Sequence, residues 1–285
     1  MQFIKEKILA SKEIRDLSAA IKSRTLPACL SGVSAVHKAA VISALCADIS
    51  RPFLVLCGSE ADGVRLCEDL QALGEKCCFY PARDLNFRKE ICSSAEYEHK
   101  RLAALWALAS GKADICVACV DAAIQFTLPP EKLEANVVAL KVGKDIDVST
   151  LISRLISMGY TRCEQVDGVG QFALRGGIFD VFPPQNENPV RIELWGNEIE
   201  TISLFDTASQ RRVMKLKETH IIPATERLFD AADLAASIER LARAKGVSAE
   251  AKEHLEADAE AALAGGELAA DKYLGIMHGG DIATI

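Results

Sequence analysis

Apolar and polar positions alternate with period two through Gln171–Pro184, Pro189–Trp195 and Asn197–Asp206, with breaks at Gly176-Gly177, Pro183-Pro184 and Gly196-Asn197. Such alternation predicts consecutive short strands, each with one buried face. Within 190–195, Val190, Ile192 and Leu194 fall on one side and Arg191, Glu193 and Trp195 on the other, because successive strand side chains point to opposite faces. The first set reads as a core face. The second places an arginine and a tryptophan, residue types that dominate binding hot spots, on the wetter face. The bland alternative has Trp195 curling over the sheet edge and Arg191 pairing with Glu193 or Glu200.

Upstream, the pattern changes period. Residues 3–22 predict an amphipathic helix and Leu26–Val33 a buried strand. Ser34 is placed to cap a helix that runs to Ile49. Pro52–Cys57 is a continuous apolar run of the kind found inside parallel sheets. A helix from Ser59 to Gly74, a strand at Cys77–Tyr80, a helix from Ser93 or Ser94 through Leu108 and a strand at Ile115–Val120 follow. This alternation predicts a doubly wound α/β domain over 22–124. Pro129-Pro130 marks a change to an inserted α+β domain over 125–212, which holds a strand at Val137–Val142 and a helix at Val148–Met158. Beyond Phe229 the chain turns alanine-rich and acidic with helical spacing, and Gly265-Gly266 separates its last helix. Residues 1–21 and 213–285 are therefore expected to form a second lobe, mainly helical after residue 225.

Composition adjusts this picture in three ways. With 285 residues, 49% of them hydrophobic, the chain can bury more than one core. The net charge of −7 supplies no general attraction to nucleic acid. Ten scattered cysteines in a chain of this size imply reduced thiols and a cytoplasmic setting rather than a disulfide framework. No signal peptide and no membrane span are expected.

One candidate chemistry lies at Gly32-Val-Ser-Ala-Val-His-Lys-Ala39, between a predicted strand and a predicted helix. A working phosphate loop reads G-x-x-x-x-G-K-[ST]. Gly32 and Lys38 fit, whereas His37 stands at the second glycine and Ala39 at the metal-binding hydroxyl. A β-carbon at 37 hinders the tight loop, and alanine cannot ligate Mg²⁺. No catalysis and no cofactor are expected here. Cys116 and Cys119, three apart on a strand, face opposite sides and make no metal pair. His37, His99, His220, His254 and His278 lack ligand spacing. Glu193 and Asp206 have no nucleophile beside them, and Arg211, Arg212, Lys215 and Lys217 read as a solvated basic run.

The run Gly170–Pro184 (GQFALRGGIFDVFPP), Val190–Gly196 (VRIELWG) and Ser203–Asp206 (SLFD) resembles a small inserted domain of two bacterial repair families. These are the excision-repair helicase UvrB and the transcription-repair coupling factor Mfd. In both, that domain docks on the damage-recognition protein UvrA. UvrB keeps an intact phosphate loop and an aromatic-rich DNA-clamping hairpin, whereas Pro81–Glu90 here has no tyrosine cluster. Ser94–Leu105 (SAEYEHKRLAAL) is similar to the corresponding helix of the coupling factor. The resemblance therefore implies an N-terminal, UvrB-like module: a degenerate, helicase-like domain derived from a P-loop fold. It also implies UvrA as partner, with Arg175, Arg191 and Trp195 on the contacting positions. RNA polymerase, DNA, ATP and Mg²⁺ are expected to be handled by motor and polymerase-binding domains elsewhere in the full-length family member. An active UvrB-like DNA-dependent ATPase is the alternative. On the alternation argument, replacing Arg191 costs binding and leaves the melting temperature nearly unchanged.

Overall fold

The computed structural model describes residues 2–83, 95–264, 273–277 and 284–285. Residues 84–94, which include most of the segment compared with the UvrB hairpin, and also Gly265-Gly266 and His278, lie outside the described residues. The chain divides into two compact units. One comprises Met1–Ala82 with Ala104–Ile124, the other Arg83–Ala103 with Gln125–Ile285.

The first unit opens with two helices, α1 (Gln2–Leu9) and α2 (Lys12–Lys22), where the pattern predicts one. Ser11 makes the break: its hydroxyl accepts from the Ile14 N–H and caps α2. Ser18 and Lys22 of α2 both donate to Asp48 of α3 (Ala35–Ile49). The N-terminal helices thus belong with the α/β unit, although their pattern had grouped them with the helices after 225. An amphipathic stripe reports that a helix has a partner, not which one.

After α3 come β1 (Phe53–Cys57), α4 (Glu60–Ala72), β2 (Cys77–Tyr80), α5 (Ala95–Ala109), β3 (Ile115–Cys119) and the short α6 (Val120–Ala123). β3 is central and parallel to β1 and β2, and all five of its residues are buried. Ala39, Leu66, Leu70, Ile115 and Val117 form the core. The unit is mixed α/β, but the strand predicted at Leu26–Val33 does not form. That segment is irregular and mostly exposed. Pro27 has no N–H to give a ladder, and Gly32 turns to φ +79°. The doubly wound reading counts on that strand, and among the described residues the sheet has three.

The second unit is built on a six-stranded sheet. After α7 (Pro130–Ala135), β4 (Val138–Lys141) and α8 (Val148–Ser157) come β5 (Thr161–Arg162), β6 (Gln171–Arg175), β7 (Ile178–Val181), β8 (Val190–Trp195), β9 (Glu198–Phe205) and β10 (Arg212–Leu216). Strands β5 to β10 lie side by side in chain order, antiparallel except for β5 with β6. β11 (Glu218–Ile221) returns to pair with β4. One sheet face buries Phe172, Phe179, Val181, Val190, Ile192 and Ile202 against Leu151, Leu155 and Met158 at α8 and its end. The Phe172 and Phe179 rings stack with centroids 5.8 Å apart. Helices α9 (Ala231–Ala242), α10 (Ala249–Leu263) and α11 (Leu274–Met277) share a separate core around Leu234, Ile238, Ala259 and Tyr273.

A buried charge cluster ties Glu98 and Arg101, in the first part of α5 that belongs to the second unit, to later segments of that unit. Glu226, fully buried, accepts from Arg101 Nε at 2.7 Å and also pairs with Arg83. Thr127 donates to the same carboxylate. Glu98 accepts from the Thr225 hydroxyl and the Glu226 N–H at 2.7 and 2.6 Å. Glu98 and Arg101 are three apart, hence neighbours on one helix face. Removing one member of a buried pair strands the other charge, at a cost of roughly 3–5 kcal/mol. Arg101→Ala is therefore expected to lower the urea-unfolding free energy by about that much. Lys100→Ala, on the exposed side of α5, should change it by no more than roughly 0.5 kcal/mol.

Candidate functional site

The sheet face opposite the core carries the candidate residues, and its two ends differ. At one end, Val166 and Phe182 pack over Ala173 and Phe205 and seal the sheet. At the other end two tight turns leave it open. Arg175 pairs with Ile178 across Gly176-Gly177, and Trp195 pairs with Glu198 across Gly196-Asn197. Gly176 and Gly196 adopt φ +59° and +63°, the left-handed sense that glycine supplies in two-residue hairpin loops. Gly177 is required for another reason: a β-carbon there would lie 2.9 Å from the Leu194 carbonyl oxygen. The Leu-Arg-Gly-Gly sequence thus sets Arg175 at the open end, one strand pair away from Trp195, which is 79% exposed.

Between the two ends lies a buried carboxylate. Asp180, 1% exposed, sits directly opposite Arg191 in the β7–β8 register. Arg191 donates Nε to Oδ1 at 2.7 Å and Nη2 to Oδ2 at 2.8 Å. Its Nη2 also donates to the Gln210 side-chain oxygen at 2.9 Å, and Nη1 to the Gln210 carbonyl at 3.3 Å. The guanidinium lies over the Phe205 ring, 4.2 Å from its centroid. Arg175 adds a single bond, Nη2 to Asp180 Oδ2 at 2.9 Å. The hydrogen bonds to Asp180 raise the pKa of Arg191 above its ordinary value. Beside this group, Glu193 accepts from the Thr201 hydroxyl and pairs with Arg212, which hold its pKa below the usual carboxylate range.

The alternation of β8 is as predicted, with Val190 and Ile192 buried and Trp195 exposed. The environment of Arg191 is not. Its side chain is only 13% exposed, against 45% for Arg175. It pairs neither with solvent nor with Glu193 or Glu200 but with Asp180. Period-two reasoning assigns a face and cannot tell that a loop and two phenylalanines cover part of it. The sequence pattern does not bring out Asp180, Gln210 or Phe205. The one available signal was an aspartate at an interior position of the Ile-Phe-Asp-Val strand, on the parity that faces Arg191.

The altered phosphate loop lies at the start of α3 in the first unit. Ser34 binds the His37 ring at Nδ1 over 2.8 Å, His37 and Lys38 are exposed, and Ala39 is buried in the core. Cys116 and Cys119 are both buried on β3, and hydrogen bonding to Cys78 together with burial pushes the Cys116 thiol up. Asp206 is occupied by the Ser209 N–H and hydroxyl. Among the described residues no cluster of His, Cys, Asp or Glu is arranged to hold a metal, and no helix is long and apolar enough to cross a membrane. A cleft of about 630 Å³ in the second unit is lined by Glu98, His99, Gly170, Thr225 and Arg227, among others. Burial lowers the His99 pKa, a shift partly offset by its hydrogen bond to Ala224.

Two outcomes follow from this geometry. Arg191→Ala leaves Asp180 buried with one exposed partner, so it is expected to destabilise the chain by roughly 2–4 kcal/mol. Thermal and urea unfolding would read this as a clear loss, not an unchanged melting temperature. His99 has a folded-state pKa below its ordinary 6.5. The stability it contributes is complete above that pH and is lost as pH falls through the folded value. The melting temperature of the wild type should therefore drop more steeply between about pH 7.5 and 5 than that of His99→Gln.

A family model described as the UvrB interaction domain matches residues 138–226, the span from β4 through β11 to Glu226. The chain is 32% identical over 273 residues to the transcription-repair-coupling factor of Bacillus subtilis (strain 168), a match that covers 95% of this chain and 22% of that protein. The transcription-repair-coupling factors of Staphylococcus aureus strains Mu50 and MRSA252 are 31% and 35% identical over 69% and 52% of the chain, and 17% and 12% of their own lengths. The chain thus spans about a fifth of the length of the Bacillus relative. By these matches and the UvrB-type domain they enclose, the chain belongs to the transcription-repair-coupling factor family, of which it represents the UvrB-like module.

Proposed function

We propose that this chain is a non-catalytic docking module of transcription-coupled nucleotide excision repair. It binds UvrA through the open end of the outer sheet face, and so brings UvrA to RNA polymerase stalled at DNA damage. The observation that carries this reading is the exposed Trp195 and the half-exposed Arg175 at the same end of the sheet, both inside the span matched by the UvrB interaction domain. An exposed tryptophan and an arginine with unused donors on one sheet end supply what a hot spot needs: apolar area and a fork for a carboxylate. RNA polymerase, DNA, ATP and Mg²⁺ are engaged by other parts of the full-length protein, which works in the cytoplasm. This segment needs no cofactor.

The first unit is, on this reading, a degenerate helicase-like domain derived from a P-loop fold. Two features support the loss of ATP chemistry. His37 is engaged with Ser34, and position 39 faces the apolar core, so even a hydroxyl there would be turned away from a nucleotide-bound metal. These features weigh against the rival reading, an active UvrB-like ATPase.

Purified UvrA and this chain separate the two readings. Arg175→Ala and Trp195→Ala are each expected to weaken binding about thirtyfold, roughly 2 kcal/mol, with melting temperatures close to wild type. Lys38→Ala should change neither binding nor the absence of DNA-stimulated phosphate release. Wild-type ATP turnover that disappears in Lys38→Ala would sink the non-catalytic reading.

A further inference from the structure

We infer that Asp180 is a positioning residue for docking: it aims Arg175 at the partner, while Arg191 braces the same carboxylate. The inference rests on the docking reading above and divides the work among its residues.

The argument begins with a donor count. A guanidinium has five N–H groups. Arg191 places four of them, two on Asp180 and two on Gln210, and lays one face on Phe205. A bidentate grip on a partner carboxylate needs two adjacent donors and an open edge, and Arg191 has neither. Arg175 spends one donor, on the same Asp180 oxygen that Arg191 uses, and keeps four. Without that bond it would stand at a hairpin end as a flexible side chain, and its ordering entropy would fall on the binding step. The buried carboxylate orders it beforehand. The partner surface this fits is acidic with an apolar spot: a carboxylate for Arg175 and a recess for Trp195, with Ile178 partly exposed between them.

The sign of one substitution separates positioning from simple attraction. Asp180→Asn keeps shape and adds a net positive charge to the face. If the face worked by charge alone, the variant would bind an acidic surface more tightly. If Asp180 aims Arg175, the variant binds more weakly, by about tenfold. Affinity for purified UvrA, measured by titration calorimetry at two salt concentrations, gives the first reading. The same substitution in an Arg175→Ala background gives the second: with its target gone, Asp180→Asn should cause no further loss of affinity. The Nε–H NMR signal of Arg175 should be sharp in wild type and averaged in Asp180→Asn. Arg175→Lys keeps the charge, cannot be held by the fork and leaves the buried carboxylate untouched. It should lose affinity at an unchanged melting temperature, and this arm stands even if Asp180→Asn proves unstable.

Tighter or unchanged binding by Asp180→Asn, a full extra loss in the Arg175→Ala background, or wild-type affinity in Arg175→Lys each overturns the inference. If Arg175→Ala and Trp195→Ala both bind like wild type, the docking face itself is wrong and the inference falls with it. If they weaken binding while Asp180→Asn does not, only the positioning role is lost.

Discussion

A carboxylate removed from water must be matched by opposite charge, since an unmatched one costs several kcal/mol even after relaxation. Among the buried carboxylates of the second unit, Asp180 and Glu226 are the least exposed, and each has a pair of arginines. Asp180 does more than balance charge. It faces Arg191 directly across β7 and β8, so a one-residue slip would separate the pair and also turn Phe179 and Ile192 out of the core. The ion pair and the apolar face therefore specify the same register. Arg191 extends the constraint to the next turn. Gln210 sits at φ +57°, an unfavourable setting for a residue with a side chain. It is held there by Arg191 on its carbonyl and its amide oxygen, and by its own amide N–H on the Thr207 carbonyl. One buried charge thereby reaches from the β6–β7 hairpin to the turn before β10.

Features set by local pattern were legible in the sequence, and features set by distant neighbours were not. Period-two alternation located β6 to β9 and the apolar trio of β8, and the glycines marked both hairpin turns. Ser59 caps its helix by accepting the Asp62 N–H, as its position implies, whereas Ser34 makes no capping bond to the backbone and turns its hydroxyl to the His37 ring instead. The apolar run at 26–33 misled, because hydrophobicity without a donor at Pro27 is not enough to join a sheet. The partner of α1 and α2 was invisible, since Asp48 and Glu75 differ in no sequence feature from other acidic residues. At the candidate site, Arg175 and Trp195 stand exposed as their positions imply. For Arg191 the pattern misleads for a definite reason. Parity gives the side of the sheet, while the burial of Arg191 depends on Phe205 and Gln210, which reach it from other parts of the chain.

The edge of the sheet differs from its open end in how well it is protected against pairing. β10 is a terminal strand, mostly exposed, with Val213 and Met214 uncovered. An edge of that kind invites pairing with another chain. Two features oppose it. The register shifts between Arg212 and Met214, a local irregularity that bends a strand and interrupts its hydrogen-bonding row. Arg211, Arg212 and Lys215 also line the strand, and a second strand laid against it would have to accommodate their charge. Arg212 is further drawn inward by Glu193. At the open end no such protection exists: the two glycine turns are short, Arg175 and Trp195 project beyond them, and Asp180 lies buried behind. Binding there requires only side chains and leaves the backbone ladder intact. The docking proposed for the turns is therefore compatible with an edge that remains a poor template for aggregation.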